Sequence, residues 1–304
     1  MSILASVYKG EAYLPAYITQ LQQQTMFNDA EIVFVCNEPS AAELEIIQTF
    51  QASYPAQVQV HSVPREPLGA SWNRAWAAAS ASLLAIWNID DCREPDSLER
   101  QVRAMEGADW ALCYGDYVTV PKYGEREGHY RSTPIYDAAH FARAFAQGGA
   151  FWVVRREVAN HIGYFDEQLH VAADMDFSLR MAANGLRMGR VDGVLGYFTD
   201  AAQGLSTREG GREALVERTV VQLRYGVYDK VQPELLAAAK RMRLDAVQNF
   251  GQWRPLTELM PDYVRYLRKR QPLWLLGKLR FALRGVLAKL GLLPRLHSYF
   301  NKEL

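Results

Sequence analysis

The feature that most limits how this chain can fold is the alternation, between residues 3 and 87, of apolar runs with helix-compatible stretches. The apolar runs are Ile3 to Tyr8, Glu31 to Cys36, Val58 to Val63 and Ser82 to Trp87. The stretches between them are Glu11 to Gln24, Ser40 to Phe50 and Gly69 to Ser80. Because strand–helix–strand connections are right-handed crossovers, this order predicts an α/β fold with a mostly parallel sheet covered by helices on both faces.

Polar residues follow each predicted strand. They are Tyr8 to Gly10, Asn37 to Pro39, Arg65 to Glu66, and Asn88 to Asp91. In open parallel sheets, ligands bind beyond the carboxyl ends of the strands. We therefore expect a binding site built from these loops.

Asp90 and Asp91 are adjacent carboxylates at the end of the fourth strand, where they repel each other. A hard divalent cation that bridges a diphosphate would offset this repulsion, and oxygen ligands suit Mg²⁺ or Mn²⁺. The alternative is that the pair caps a helix or joins a loop ion pair.

The pattern loosens after a further strand at Trp110 to Tyr117. Pro121 to Asp137 is predicted to be a long loop, and loops of this length are usually functional. Strands are expected at Gly148 to Val154 and Val191 to Phe198, and a helix at Ala172 to Asn184, closed by Gly185. From Arg212 onward the pattern favours helices.

A second acidic group, Asp174 and Asp176, opens the helix that begins at Ala172. On its own this pair is typical of a solvated helix face whose acids are favoured by the helix dipole.

Taken together, these segments resemble the family-2 glycosyltransferases of the GT-A fold. The likeness covers Ser2 to Thr207 and rests on six segments in the family's order: Ser6 to Leu14, Arg65 to Asn73, Asn88 to Pro95, Gly163 to Glu167, Ala173 to Arg180 and Gly204 to Thr207. It implies a GT-A catalytic domain over residues 1–210, in which a Rossmann-like half binds nucleotide. Residues 211–304 would form a helical C-terminal region.

The resemblance implies that a nucleotide-diphosphate sugar is bound by Ser6, Tyr8, Asn37, Arg65, Asn73 and Asp90. Tyr8 falls where the family stacks an aromatic ring on the nucleobase. Asn37 stands where the family usually has an Asp that accepts the base N3–H. An amide oxygen can also accept, but the change leaves the identity of the base open.

The same resemblance assigns a metal ligand and a base. Asn88 to Pro95 matches the pattern D-x-D-D-x-x-x-P, with Asn88 in place of the first Asp, and makes Asp91 the ligand of Mn²⁺ or Mg²⁺. Ala173-Asp174 stands where the family has Glu-Asp, which makes Asp174 the general base. The implied activity is inverting transfer of a sugar to a hydroxyl acceptor in surface polysaccharide or glycolipid synthesis.

Two other functions stay open at this stage. The departures at Asn88 and Ala173 suit a nucleotide-sugar-binding protein of the same fold without catalysis. A nucleotidyltransferase shares the phosphate and metal chemistry, but the first strand is not followed by a Gly-rich loop with Lys or Arg.

Charge distribution separates the C-terminus from the rest of the chain. The formal net charge is zero, which argues against a nucleic-acid partner. Residues 262–304 hold ten Lys or Arg and two acidic residues, so this segment has a net charge of +8 and the preceding residues have a net charge of −8. Segment 272–293 places apolar residues on one helical face between basic residues, which suits an anionic membrane surface and a lipid-linked acceptor. Packing against its own catalytic domain and a dimer contact are the alternatives, and the oligomeric state is open.

Cysteine usage and the first residues predict a cytoplasmic location, with peripheral binding to the inner face of the membrane as an extension of it. Cys36, Cys92 and Cys113 show no metal-binding spacing and are expected to be reduced thiols. A strand is predicted to begin at Ser2, without the basic segment of a secretory signal.

Overall fold

A computed structural model of the chain describes residues 1–138, 150–200 and 211–270, together with residues 279, 282, 283, 286 and 287. The predicted loop Gly204 to Thr207 and the start of the predicted strand Gly148 to Val154 lie outside these residues. The strands described are β1 (Ser2–Val7), β2 (Glu31–Asn37), β3 (Val58–Val63), β4 (Leu83–Ile86), β5 (Cys92–Arg93), β6 (Leu112–Val120), β7 (His129–Arg131), β8 (Val153–Arg155), β9 (Met188–Thr199), β10 (Ala246–Asn249) and β11 (Gln252–Pro255).

Helices flank these strands. They are α1 (Leu14–Gln23), α2 (Ala41–Ser53), α3 (Leu68–Ala78), α4 (Ser97–Glu106), α5 (Val158–Ile162), α6 (Ala173–Ala183), α7 (Arg212–Arg224), α8 (Leu236–Ala239) and α9 (Leu256–Leu259). Residues 263–270 are helical as well. The predicted helix start at Ser40 is confirmed, because Ser40 and Glu43 form a capping box at the beginning of α2.

The described part of the main sheet has the order β3-β2-β1-β4-β8-β6-β9-β5, with β7 paired to β6. β1 pairs in parallel with β2 and β4, and β2 pairs in parallel with β3. The predicted α/β fold with a mostly parallel sheet is therefore confirmed. Side chains of β1 alternate between two hydrophobic clusters, Leu4 in one and Ile3, Ala5 and Val7 in the other, so helices cover both faces.

The antiparallel strand β8 determines which loops lie at the same edge of the sheet. β8 is antiparallel to both β4 and β6, and β6 is parallel to β9. Two reversals restore the original direction, so β6 and β9 run the same way as β1 to β4. The carboxyl end of β9 at Thr199 therefore lies on the same edge of the sheet as the ends of β1, β2 and β4.

Residues 211–270 share a core with the preceding sheet. Val220, Val221 and Tyr225, in and directly after α7, are buried in the cluster that also contains Phe165 and Phe177. The region expected to be helical also contains the antiparallel pair β10–β11. Phe250 and Gly251 form its turn, and both have positive φ, which suits a tight connection between strands. A domain boundary at residue 210 stays a prediction.

The long segment 121–137 contains β7, a short strand that the sequence pattern does not predict. Asp116 holds the segment to the sheet. Its buried carboxylate accepts hydrogen bonds from the Thr133 N–H at 2.7 Å and Arg190 Nη2 at 2.6 Å, and from the Tyr130 hydroxyl. This anchor explains why a segment rich in Gly and charge has a defined structure.

A bilayer-spanning helix, judged by length and hydropathy, does not occur in the part of the chain that the structure describes.

Replacing Asp116 with Asn should lower the free energy of unfolding by about 1–3 kcal/mol at pH 7, because Arg190 and Thr133 lose a charged acceptor. Burial raises the pKa of Asp116, but the hydrogen bonds from Arg190, Tyr130 and Thr133 outweigh it and lower that pKa. A depressed carboxyl pKa stabilises the fold above the unfolded-state pKa. The difference between wild type and variant should therefore be constant above about pH 5 and shrink below about pH 4.

Urea denaturation across this pH range would measure the effect. Asp109→Asn, at an exposed Asp after α4, is the control and should change the free energy of unfolding little. An Asp116→Asn variant as stable as the control at pH 7 would contradict the anchoring role.

Candidate functional site

The turn from Asn88 to Asp91, directly after β4, is held rigidly by aromatic side chains. Trp87 Nε1 donates to the Asp91 carbonyl at 2.9 Å, and the Asp91 N–H donates to the Asn88 carbonyl at 3.2 Å. Tyr17 of α1 packs edge-on against the Trp87 ring at 5.0 Å and donates its hydroxyl to the Trp87 carbonyl. The turn therefore has little freedom to move away from the sheet edge.

The Asp91 carboxylate is buried between the turn after β4 and the end of β9. Its Oδ1 accepts the Thr199 N–H at 3.1 Å, and its Oδ2 lies 3.5 Å from Asn88 Nδ2. Asp91 itself is 3% exposed. Within the described residues, Asn88 Oδ1 and Thr199 Oγ1 are buried without any hydrogen-bond partner. Buried oxygens without partners are rare in proteins, which marks this region as a place where a ligand is expected.

The electrostatics of the turn also favour a positive charge there. Burial raises the pKa of Asp90, and burial together with the neighbouring Asp90 raises that of Asp91. One cation is already nearby: Arg93 is 2% exposed, and its charge lowers the pKa of Asp91, although less than burial raises it. Burial lowers the pKa of Arg93 to about 10.

These residues fit a hard divalent cation. Across residues 1–138, 150–200 and 211–270, no cluster of three His, Cys, Asp or Glu side chains could form a complete metal cage. Mg²⁺, however, usually takes one or two carboxylates and completes its shell with waters and substrate phosphates, and neutral oxygens are acceptable ligands. The Asp91 carboxylate and the unpartnered oxygens of Asn88 and Thr199 are such a set.

The loop after β1 is fitted tightly against this turn. A Cβ on Gly10 would lie 2.1 Å from Ile89 Cδ1, so any larger residue here would require the Ile89 side chain to move. Glu43 accepts the Gly10 N–H at 2.5 Å, and Lys9 adopts a left-handed φ of 51°. Left-handed backbone at a non-glycine residue is strained and is often found at functional sites.

Tyr8 and Arg65, which the sequence places on separate loops, meet in the structure. The Arg65 guanidinium lies 3.6 Å from the centroid of the Tyr8 ring, within cation–π distance. Ser6 is two residues earlier in β1 and is partly buried. The two loops thus present an aromatic face and a positive charge together at the sheet edge.

Asn37 lies at the end of β2 but is only 1% exposed. Its amide donates to the Glu66 carbonyl at 2.8 Å and to Ser71 Oγ at 3.2 Å, and its oxygen accepts the Glu66 N–H at 2.9 Å. Both amide donors are used inside the protein, and one acceptor position on the oxygen remains. Contact between Asn37 and a nucleobase stays a prediction.

Asn73 on α3 is fully buried beneath the Gly163 to Glu167 turn. Its amide donates to the Phe165 carbonyl at 2.9 Å and to Glu167 Oε1 at 3.0 Å, and its oxygen accepts the Phe165 N–H. The structure thus pairs Asn73 with the next motif along the chain. Its predicted contact with a diphosphate would require one of these donors to be released.

Asp174 is the second residue of α6, where its Oδ1 accepts the Met175 N–H at 2.7 Å. Burial raises the pKa of the Tyr117 phenol in β6, the Arg131 charge lowers it, and the charges of Asp91 and Asp174 raise it. The Tyr117 phenol is therefore within the electrostatic range of both carboxylates. Ala173 is buried, 3.7 Å from where a Cβ on Gly69 would lie.

Sequence reasoning did not identify three residues that the structure brings into this region: Arg93, Thr199 and Glu217. Arg93 lies two residues after Asp91, and a cation so close to a carboxylate pair could have indicated an ionic interaction. Thr199 gives no signal of its own, because its place beside Asp91 follows from the pairing of β9 with β6. Glu217 gives no sequence signal, because α7 reads as an ordinary polar helix.

The parallel strands, the carboxylate turn after β4 and the acidic start of α6 define a GT-A type glycosyltransferase fold. The family model "Glycosyl transferase family 2" matches residues 2–163, and "Glycosyl transferase family group 2" matches residues 90–299. The chain belongs to glycosyltransferase family 2.

Solved structures agree on the fold. TarS of S. aureus in complex with UDP-GlcNAc superposes with a TM-score of 0.59 at 17% identity, over 91% of this chain and 78% of that one. The mannosyltransferase PcManGT from Pyrobaculum calidifontis, in complex with GDP-Man and Mn²⁺, superposes with a TM-score of 0.52 at 14% identity, over 95% of this chain and 74% of that one.

Similarity to curated sequences is partial. EpsH of Bacillus subtilis (strain 168) is 31% identical over 114 residues, which are 37% of this chain and 33% of EpsH. For two further relatives the matched stretch is 55% and 34% of the relative's length. The activity of the whole protein is therefore a matter for proposal.

Proposed function

We propose that this protein transfers a sugar, with inversion, from a nucleotide-diphosphate donor to a hydroxyl group of a saccharide or lipid-linked acceptor. The observation that carries the proposal is the Asp91 carboxylate, which is buried just beyond β4 and accepts the Thr199 N–H at the end of β9, in a chain of glycosyltransferase family 2. A second carboxylate, Asp174, stands at the start of α6, in the segment that resembles the family's base motif. Sugar transfer requires a charge-neutralising site for the leaving diphosphate and a base for the acceptor, close to each other.

The donor would lie along the carboxyl edge of the sheet. Its base would stack against Tyr8 beside the Arg65 guanidinium, with Ser6 and Asn37 beneath it, and its ribose near Asp90. Arg65 is exposed and close to the Tyr8 ring, so its side chain can shift when a base binds and can add a cation–π contact to that base. Asn73, on α3, would contribute at the diphosphate.

Asp91 would hold a Mn²⁺ or Mg²⁺ ion with the oxygens of Asn88 and Thr199. Such an ion neutralises the negative charge that builds on the diphosphate as the bond to the sugar breaks. The rigid Trp87–Asp91 turn keeps the carboxylate in place, so that little reorganisation is needed during the reaction.

Asp174 would act as the general base. As the acceptor oxygen bonds to the anomeric carbon, its proton passes to the Asp174 carboxylate, and the diphosphate leaves from the opposite face of the sugar. Asp174 is suited to this because it stands at the start of α6, where the helix dipole favours the ionised carboxylate.

A non-catalytic nucleotide-sugar-binding protein is the second candidate. It is favoured by Ala173, a buried methyl group where the family has Glu, and by the internal pairing of the Asn73 amide. Transfer to an acceptor, or slow hydrolysis of the donor, separates the two functions.

The basic segment 272–293 would bring the enzyme to a lipid-linked acceptor on the cytoplasmic face of a membrane. Of this segment the structure describes Leu279, Ala282, Leu283, Val286 and Leu287, which are all helical. Leu279, Leu283 and Val286 recur at i, i+4 and i+7, and they are 67%, 59% and 53% exposed. Large apolar side chains that share an exposed helix face within a segment of high positive charge suit an anionic lipid surface.

Asp91→Ala should abolish metal-dependent nucleotide binding. Wild-type protein would be heated with UDP, GDP, dTDP or CDP, with and without Mn²⁺, in a thermal-shift assay. A nucleotide at 100 times its dissociation constant adds about 2.7 kcal/mol to stability, and this shift should require Mn²⁺ and be absent in the variant. Asp109→Ala is the control. A variant that keeps the metal-dependent shift would place the ligand elsewhere.

Asp174→Asn should reduce turnover by about 10²–10⁴-fold, the usual contribution of a positioned general base, while the thermal shift by nucleotide stays nearly unchanged. Release of nucleoside diphosphate in the presence of acceptor measures turnover. Asp245→Asn, at an exposed position, serves as the control. Equal loss of binding and turnover would contradict the assignment of the base.

A double variant, Leu279→Asp with Leu283→Asp, should bind vesicles that contain phosphatidylglycerol more than about tenfold more weakly. Each leucine side chain that enters the lipid contributes about 1.5–3 kcal/mol to binding. Co-sedimentation with these vesicles, and with pure phosphatidylcholine vesicles, measures it. Val264→Asp, at an exposed position outside the segment, is the matched control. Equal sedimentation of both variants and wild type would end the membrane proposal.

A further inference from the structure

The carboxylate of Glu217 in α7 accepts hydrogen bonds from three consecutive backbone N–H groups. Its Oε1 accepts the His170 N–H at 3.0 Å, and its Oε2 accepts the N–H groups of Val171 and Ala172 at 2.7 Å and 3.0 Å. Glu217 is only 6% exposed. Hydrogen bonds to an ionised acceptor in a buried setting are about twice as strong as neutral ones, so this turn is fixed in one conformation.

The last of these three amides lies two residues before Asp174 in the chain. Ala172 is the N-cap of α6 and provides no side-chain hydrogen bond to the helix, and Asp174 is the second helical residue. In the absence of a capping side chain, the direction in which the chain enters α6 is set by the Glu217 carboxylate. That direction determines where the Asp174 carboxylate points.

α7 is itself held against α6 on the other side of Asp174. Arg224 lies seven residues after Glu217, on the same face of α7, and donates to Asp176 Oδ1 at 2.8 Å and Asp166 Oδ2 at 2.7 Å. All three side chains of this group are fully buried. A rotation of α7 would break the contacts of both Glu217 and Arg224. The Arg224 ion pairs therefore keep Glu217 in a constant position relative to α6.

We propose that Glu217 is a positioning residue, which orients the general base through the backbone of residues 170–172. The inference rests on the proposed role of Asp174. α7 lies after the segment that carries the family's motifs. Through Glu217, this helix would contribute to the removal of the proton from the acceptor.

The test compares Glu217→Gln with Glu213→Gln, an exposed Glu one turn earlier on the same helix. In the Glu217→Gln variant the new side chain keeps the size of the original but turns an amide donor toward one of the backbone N–H groups. We expect kcat to fall by about 10- to 100-fold, the usual effect of a small misplacement of a catalytic group. The donor dissociation constant should change less than about twofold, because the donor site is not altered.

A double-mutant cycle separates positioning from a general structural effect. In an Asp174→Asn background, Glu217→Gln should reduce the remaining rate by less than about twofold, because the group it positions is already disabled. The same loss in both backgrounds would overturn the inference. If Glu217→Gln does not fold, Glu217→Asp, which keeps the charge on a shorter side chain, replaces it in the cycle, and the same outcomes decide.

The outcomes also separate this inference from the proposed function. A wild-type protein that binds nucleotide but transfers no sugar would overturn both. Active wild type together with a Glu217→Gln variant of unchanged kcat would overturn only the role of Glu217.

Discussion

The structure depends on the buried arginine at position 224. Its guanidinium is out of contact with water and bonds the carboxylates of Asp166 and Asp176 and the carbonyls of Arg243 and Ala246. Burial lowers the pKa of Arg224, but the two carboxylates raise it more, so the charge is retained. Removing one partner from a buried ion pair costs about 3–5 kcal/mol, because the other charge is left without compensation. α6, α7 and the β10 strand are therefore bound to one another as a single unit.

Together with the direction of the sheet strands, that unit fixes the Asp91 turn and the start of α6, which are far apart in sequence. The antiparallel β8 lets β6 and β9 run in the direction of β1 to β4, which brings Thr199 to the Asp91 carboxylate. The Arg224 group and Glu217 bring the start of α6 to a fixed position. The sheet thus holds Asp91 in place, and the helices hold the start of α6 in place.

The sequence predicts most of this framework, because each strand up to β4 is short, apolar and bounded by a polar loop. The capping box at Ser40 follows from a local pattern. The roles of Asp91 and Asp174 follow only from the family resemblance and stay predictions. Thr199 and Glu217 could not be assigned, since their roles come from pairing between distant segments, and a single sequence contains no signal for such pairing. The β10–β11 pair was missed for a similar reason: its strands are four residues each, and the hydrogen bonds that hold them in place are provided by Asp166 and Glu167 in another part of the chain.

The chemistry of Asn37 shows how a departure from a family pattern can have a local cause. An ionised Asp has no hydrogen to donate, so at this position it would place a carboxylate against the Glu66 carbonyl. Asn supplies a donor to that carbonyl and fastens the loop after β3 to the end of β2. That loop presents Arg65 to the Tyr8 ring, so the substitution at Asn37 stabilises the pairing of Tyr8 and Arg65.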